Sequence, residues 1–278
     1  MWYKGLKKEL VGIPLNTKPV LWDSSCPLPE TQLADLGRRG FVGSFKDYEP
    51  VDNLRELVKG KTVVFVCPSP HLRGLKMGKK IDSYDLVVRV NQSFDVPEEL
   101  WEDYGKRTDI LATCLNIHKI NALHANMEFA KSLKFILCPM LSMWDIGVVN
   151  SFLEFLRVPW HNVCDGYLFK IFKEVGTTCN TGLAGIITLL NYDIKELHIT
   201  GMTFYNMNTF GDIYFDKYQS EAHKNNNFRL GTDNRPVFQD LRMDIHSQNP
   251  QIKYFKKMIE HHYPHKITLD NYLIKNFT

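Results

Sequence analysis

Residues 61–91, KTVVFVCPSPHLRGLKMGKKIDSYDLVVRVN, decide the fold. Thr62-Val63-Val64-Phe65-Val66 is a short apolar, β-branched run, the kind that forms a strand buried on both faces. In Cys67-Pro68-Ser69-Pro70-His71, two prolines forbid a continuing ladder and force a turn. Gly74 and Gly78 follow, with Arg73, Lys76, Lys79 and Lys80 around them, and a second apolar run, Leu86-Val87-Val88-Arg89-Val90, ends on Asn91. Strand, cationic loop with a short helix, strand: this is half of a nucleotide-binding α/β sheet. Open α/β sheets bind ligands beyond the carboxyl ends of their strands. Ser69 and Asn91 stand at two such ends.

Upstream, residues 1–55 are rich in turn formers (Pro14, Pro19, Pro27, Pro29, Gly37, Gly40, Gly43) and read as an irregular lead-in packed on a single domain spanning 1–278. Residues 52–60 suit a short helix stopped by Gly60. Downstream, Pro97 followed by acids starts a helix that Gly105 ends. Strands are expected at 110–115, 135–138, 196–200 and 266–269. Helices are expected at 119–132, 148–157, 167–175, 183–190 and 251–261. This alternation predicts an α/β fold, a mostly parallel sheet with helices on both faces.

Residues 176–182, GTTCNTG, open the apolar helix at 183–190. Asn180, Thr181 and Gly182 there are either ordinary helix caps or an anion site built on exposed N–H groups. Residues 205–240 are aromatic, asparagine-rich and punctuated by glycine, with Tyr218, His223 and Asn225-Asn226-Asn227 among them. A long segment of this kind suits a mobile lid.

The chain has 278 residues, 44% of them hydrophobic and 23% charged, with a net charge of +3. That is an ordinary globular composition, and the charge is too small to argue for nucleic acid. The 6 cysteines show neither a CxxC pair nor metal-ligand spacing. His118, His124, His161, His261, His262 and His265 form no ligand pattern either. No apolar run reaches the ~20 residues of a transmembrane segment, and the first residues lack a signal-peptide core. A cytoplasmic protein without an anchor is expected.

Two stretches now resemble one family in the right order. Leu72-Arg73-Gly74, Gly78, Ile81-Asp82-Ser83-Tyr84-Asp85 and Val88-Arg89-Val90-Asn91 are similar to the long motif of the sialyltransferases of glycosyltransferase family 29, with Gly105-Lys106-Arg107-Thr108 after it. Asn180-Thr181-Gly182 and Ile199-Thr200-Gly201-Met202 resemble its short motif, and Asp244-Ile245-His246 its last. The resemblance covers roughly residues 60–260 and suggests a soluble microbial or viral member.

It implies a GT-A-like, Rossmann-type sheet and an inverting transferase. The donor would be a CMP-linked 2-keto-3-deoxy acid sugar, typically sialic acid, and the acceptor a glycan or glycolipid, with no metal or other cofactor. By the same resemblance Ser69 and Asn91 contact the nucleotide, and Asn180, Thr181, Gly182 and Gly201 line the phosphate and cytidine site. His246 is the general base. His223 is the nearest candidate for the family's phosphate-contacting His, or else an exposed lid residue.

The chain departs from the family at Pro68 (an Asn there), at Asn180 (a Ser) and at Gln251 (an acid). Cys67 and Cys179 echo a family disulfide, although a cytoplasmic chain would hold them reduced. Arg89 and Asp82 are equally readable as ion-paired scaffold, Asn91 as a strand-end cap and His246 as an interface residue. The rival from another class is a nucleotide-binding module without turnover. A dinucleotide enzyme is disfavoured because no G-x-G-x-x-G follows the first strand.

Overall fold

β1 (Thr62–Val66) runs through the middle of a seven-stranded sheet of order β5-β4-β3-β2-β1-β6-β9. The computed structural model describes residues 52–139, 152–162, 171–172, 174–206, 214–215, 228–230, 236–238, 247–262 and 266–278. Most of the lead-in at 1–55, together with Tyr218, His223, Asn225, Asn226, Asn227, Asp244, Ile245 and His246, lies outside the described residues.

The remaining strands of the sheet are β2 (Leu86–Val90), β3 (Ile110–Ala112), β4 (Phe135–Cys138), β5 (Trp160–Asn162), β6 (Glu196–Thr200) and β9 (Ile267–Leu269). Every pairing is parallel, with Val64 opposite Val87 on one side and His198 on the other. All five residues of β2 are buried, as expected of a strand covered on both faces.

Alternation along β1 separates two cores. Val63, Phe65 and Cys67 join the cluster containing α6 (Thr181–Leu189) and α7 (Gln248–His262). Val64 and Val66 pack instead with Leu72, Ile81, Tyr104 and Phe215, under α2 (Gly78–Asp82) and α3 (Trp101–Tyr104). The α/β sheet covered on both faces is therefore as expected. α1 (Asp52–Val58) precedes β1, and Gly60 beyond it has φ +67, the left-handed stop.

Four expectations need correction. The third strand ends at Ala112 rather than 115, because Leu115 turns the chain away with φ +48. The helix expected at 119–132 is two, α4 (Ile117–Ala125) and α5 (Met127–Ser132). Asn126 separates them with non-helical φ −122 and ψ 50, its side chain donating to the Ala122 carbonyl at 2.9 Å. β5 was not anticipated: Pro159 and polar residues mask it, and such a sequence is tolerated at a sheet edge. Nor was α8 (Asn271–Phe277), capped by Asp270. Within 205–240, β7 (Phe228–Leu230) and β8 (Pro236–Phe238) pair antiparallel as a small separate sheet.

Much of the long motif braces the amino edge of the sheet. Asp82 accepts from the Lys106 and Arg107 amides at 3.0 Å each. Gly105 has φ +68, and a Cβ there would lie 2.6 Å from Asp82 Oδ1, so glycine is required at that turn. Arg107 donates to the Asp82, Tyr84 and Asp85 carbonyls and to the Asp109 carboxylate. Arg89, fully buried, donates to the carbonyls of Arg107, Tyr104 and Gly105 at 2.9, 2.7 and 3.0 Å. Burial pulls its guanidinium down to about 10, with the Asp82 charge opposing. Arg89 and Asp82 are scaffold residues, as one reading of the sequence has it, but they are bonded to backbone groups rather than ion-paired with each other.

Candidate functional site

Strand order reverses at β1, which has β2 on one side and β6 on the other. A crevice beyond the carboxyl ends is expected at that switch point. The chain leaves β1 through Cys67–His71 and leaves β6 through Gly201, and the two exits are joined. The Cys67 amide donates to the Thr200 carbonyl at 2.9 Å, and the Ser69 amide to the Gly201 carbonyl at 3.3 Å. Gly201 has φ +70, and a Cβ there would lie 2.4 Å from the Cys67 carbonyl oxygen. Only glycine permits so close an exit.

Ser69 is buried; its Oγ accepts from the His71 amide at 3.4 Å and its carbonyl from the Tyr104 hydroxyl at 2.9 Å. That second bond ties the motif's brace to the site.

The amino end of α6 faces the same exit. Its cap is Asn180, whose Oδ1 accepts from the Leu183 amide at 2.8 Å. The Asn180 side chain is thus spent on capping. The Thr181 and Gly182 amides belong to the first turn, whose donors have no intrahelical acceptor. A Cβ on Gly182 would sit 3.5 Å from Cys67 Sγ, which measures how closely the helix approaches β1.

Asn180 is held from below by Gln251 of α7, whose Oε1 accepts the Asn180 amide at 2.9 Å. The Gln251 amide nitrogen donates to the Ser247 carbonyl at 3.2 Å. The side chain at the place of the family's acid is therefore a buried brace between α6 and the residue after His246.

Asn91 lies one strand away, at the end of β2. It has φ +52, and its Oδ1 accepts from the Cys114 amide at 3.2 Å, linking the exits of β2 and β3. The structure thus brings Ser69, Gly201, Thr181 and Gly182 together around the switch, with Asn180 capping and Asn91 beside them. His246 and His223 lie outside the described residues.

Three features of this edge were not singled out in the sequence. Phe204 and Tyr205 follow Gly201 with φ +48 and +58, a left-handed pair without glycine. Tyr205 and Tyr214 are hydrogen-bonded to each other, their ring centroids 6.2 Å apart. Burial pushes Tyr205 up to about 12 and raises Tyr214 well above the ordinary range, so both stay protonated. Both residues are half-buried. The signal available was two tyrosines shortly after a strand-end glycine.

Asn116 caps α4 at the exit of β3, its Oδ1 accepting from Lys119. Burial lowers the Lys119 ammonium, with the nearby Cys114 opposing.

The third feature is acidic. Asp270 Oδ2 accepts from Thr200 Oγ1 and the Gly201 amide, both at 2.9 Å, and lies 3.4 Å from His71 Nε2. Burial works to raise this carboxyl, but the neighbouring His71 and hydrogen bonds from the Leu273 and Gly201 amides outweigh it and hold it below the usual carboxylate range. Cys67 and Cys179 are both free and buried, and burial raises both thiols above the ordinary range.

Among the described residues no three His, Cys, Asp or Glu side chains are grouped as metal ligands. No described helix is long and apolar enough to cross a membrane.

Parallel sheet, strand-order switch and polar cradle define a Rossmann-type, GT-A-like protein. Residues 54–159 match the model of glycosyltransferase family 29 (sialyltransferase). The sialyltransferase CstII from Campylobacter jejuni, solved with the substrate analogue cytidine-5'-monophosphate, is similar in fold: TM-score 0.50, 19% identity, covering 79% of this chain and 84% of that one. A mammalian sialyltransferase, solved with Gal-beta-1-3GalNAc-ortho-nitrophenol, gives TM-score 0.43 at 13% identity over 92% and 91% of the two chains. No curated protein sequence matches the chain. The match over residues 54–159 agrees with the resemblance drawn from the motifs, and the likeness to CstII is one of fold.

Proposed function

We propose that the chain is an inverting, metal-independent transferase. It moves a 2-keto-3-deoxy acid sugar, sialic acid or a relative, from a CMP-sugar to a hydroxyl of a glycan or glycolipid. The observation that carries this reading is the cradle at the β1/β6 switch. Neutral donors converge there on the amino end of α6, in a chain whose 54–159 segment matches the family.

The cradle supplies what the reaction requires. Amides at Thr181 and Gly182 offer hydrogen bonds and a favourable helix end to a phosphate. Ser69, Gly201 and Asn91 border the same space for the nucleotide, and in the Tyr205–Tyr214 pair the phenol whose hydrogen is not spent on their mutual bond can donate to developing charge on the leaving group. In a single displacement the acceptor oxygen attacks the anomeric carbon opposite CMP. The bond to the phosphate oxygen breaks with its electron pair, and the acceptor proton passes to His246. One displacement inverts the centre. A neutral imidazole is the form that accepts the proton. His223 takes the donor-phosphate role in this scheme.

Calorimetry with CMP in EDTA is expected to give the same affinity as with Mn²⁺; a strict metal requirement sinks the metal-independent reading. His246→Ala is expected to lower turnover by about 10²–10⁴-fold with little change in CMP affinity. Near-normal turnover in that variant moves the base to another residue.

The second reading, a CMP-binding module without turnover, draws on Gln251 standing where the family carries an acid. Release of CMP from CMP-Neu5Ac, CMP-Kdo or CMP-Kdn with galactoside acceptors separates the two, because the module binds CMP and releases none.

A further inference from the structure

We propose that Asp270 is a positioning residue of the donor cradle, acting through His71 and Gly201. Neither the sequence motifs nor the family resemblance assigns it a role. The inference rests on the donor-site reading above and extends that site to the start of α8.

The geometry is that of a clamp across the switch point. One carboxylate oxygen of Asp270 receives Thr200 Oγ1 and the Gly201 amide, both at 2.9 Å, and so holds the exit of β6. The same oxygen lies 3.4 Å from Nε2 of His71, on the exit of β1. The other oxygen accepts the Leu273 amide at 2.9 Å and caps α8. Both partners are almost enclosed, with side-chain exposures of 12% for His71 and 6% for Asp270.

Tyr272 supports both lips as well. Its ring lies 5.0 Å from that of His71, and its hydroxyl accepts from Asn206 at 3.1 Å, beyond the exit of β6. Ser69 and Gly201, which border the nucleotide space, are the residues whose spacing this clamp sets. The Ser69 amide meets the Gly201 carbonyl, and Ser69 Oγ accepts the His71 amide. Were the carboxylate needed only to start α8, its second oxygen would have no reason to collect three groups from two other strand exits. A carboxylate organises several donors at once because it is acceptor-only and charged.

The test separates clamp from cap. Asp270→Asn keeps a good N-cap but loses the charge and one acceptor at the switch. It is expected to remain folded, to bind CMP about 5–30-fold more weakly, and to show a raised donor KM with acceptor KM and kcat little changed. His71→Ala, which leaves the cap of α8 intact, is expected to show the same KM-selective loss. Because the two act as one clamp, the double variant should lose no more than the worse single.

Three results overturn the proposal: folded Asp270→Asn with wild-type CMP affinity; equal losses in kcat and every KM; or losses that multiply in the double variant. Absence of CMP binding in the unmutated chain would instead overturn the donor-site reading itself, so the two failures are distinguishable. Should Asp270→Asn not fold, His71→Ala alone decides, and wild-type donor KM in it overturns the clamp.

Discussion

At the amino edge of the sheet, charged groups are matched to backbone, and the left-handed turns at Gly60 and Gly105 are taken by glycine, with Arg157 before β5 a non-glycine exception. Asp82 takes two amides, Asp85 takes the Thr62 amide and hydroxyl at 2.8 Å each, and Asp109 takes the Val87 amide, Arg107 and Lys134. At the carboxyl edge, by contrast, the side chains are mostly neutral. There the backbone enters the left-handed region at Asn91, Leu115, Phe204 and Tyr205, none of them glycine. Residues in that region cost about 1–3 kcal/mol each and persist where the surroundings over-determine them. The first edge is built to be stable. The second holds an arrangement that stability alone would not select, as expected where ligands are bound.

The largest effect should follow from breaking the first edge. Arg89→Met removes a buried guanidinium that serves the Arg107, Tyr104 and Gly105 carbonyls. Three acceptors, two of them buried, lose their partner, and stability should fall by about 3–5 kcal/mol. Denaturant melting measures this. CMP affinity of the remaining folded fraction should be unchanged; a specific loss of affinity without loss of stability would place Arg89 in the site and dissolve the contrast.

His198 on β6 tests the interior between the edges. It is buried, its Nδ1 2.9 Å from Thr268 Oγ1 and its ring stacked 5.5 Å from Tyr84. Burial, helped by Lys80, brings its pKa down to about 4 from 6.5. The unfolded chain therefore takes up this proton first as pH falls. The contribution of neutral His198 is complete above pH 6.5 and is lost between about 6.5 and 4, to the extent of roughly 3 kcal/mol. His198→Gln should flatten that part of the stability–pH curve. An unchanged slope would show that His198 is not the group responsible.

How far the sequence revealed the two edges follows from the same physics. β1 and β2 were legible because strands buried on both faces are continuous apolar runs, and Gly105 and Gly201 because a required glycine leaves its letter in the chain. β5 was not legible, since an edge strand tolerates Pro159 and polar neighbours. The strain at Leu115, Phe204 and Tyr205 leaves no letter at all: those residues look like core residues, and only tertiary contacts hold them at positive φ. The motif residues that made the family recognisable mostly turned out to brace the amino edge, while Asp270 and the Tyr205–Tyr214 pair carry no short-range pattern. Gln251 was read as a departure from the family acid, and its amide proves to hold the Asn180 backbone.

The smallest change in stability should come from the carboxyl edge, at Asn91, and it sharpens the contrast most. Its φ of +52 is tolerated by Asn and unstrained for Gly. Asn91→Gly relieves a backbone cost, while removing the Oδ1 bond to the Cys114 amide forfeits about 0.5–1.5 kcal/mol. The two nearly cancel, so stability should move by about 1 kcal/mol or less. Donor binding should weaken by about 1–3 kcal/mol if the side chain also meets the nucleotide. Asn91→Ala keeps the strain and loses the bond, so it should be less stable than the glycine variant and as weak toward CMP. That ordering, glycine above alanine in stability with both impaired in affinity, is what a strained binding residue gives and a simple strand-end cap does not. If both variants bind CMP like the unmutated chain, Asn91 only ties β2 to β3, and the strain at this edge requires another cause.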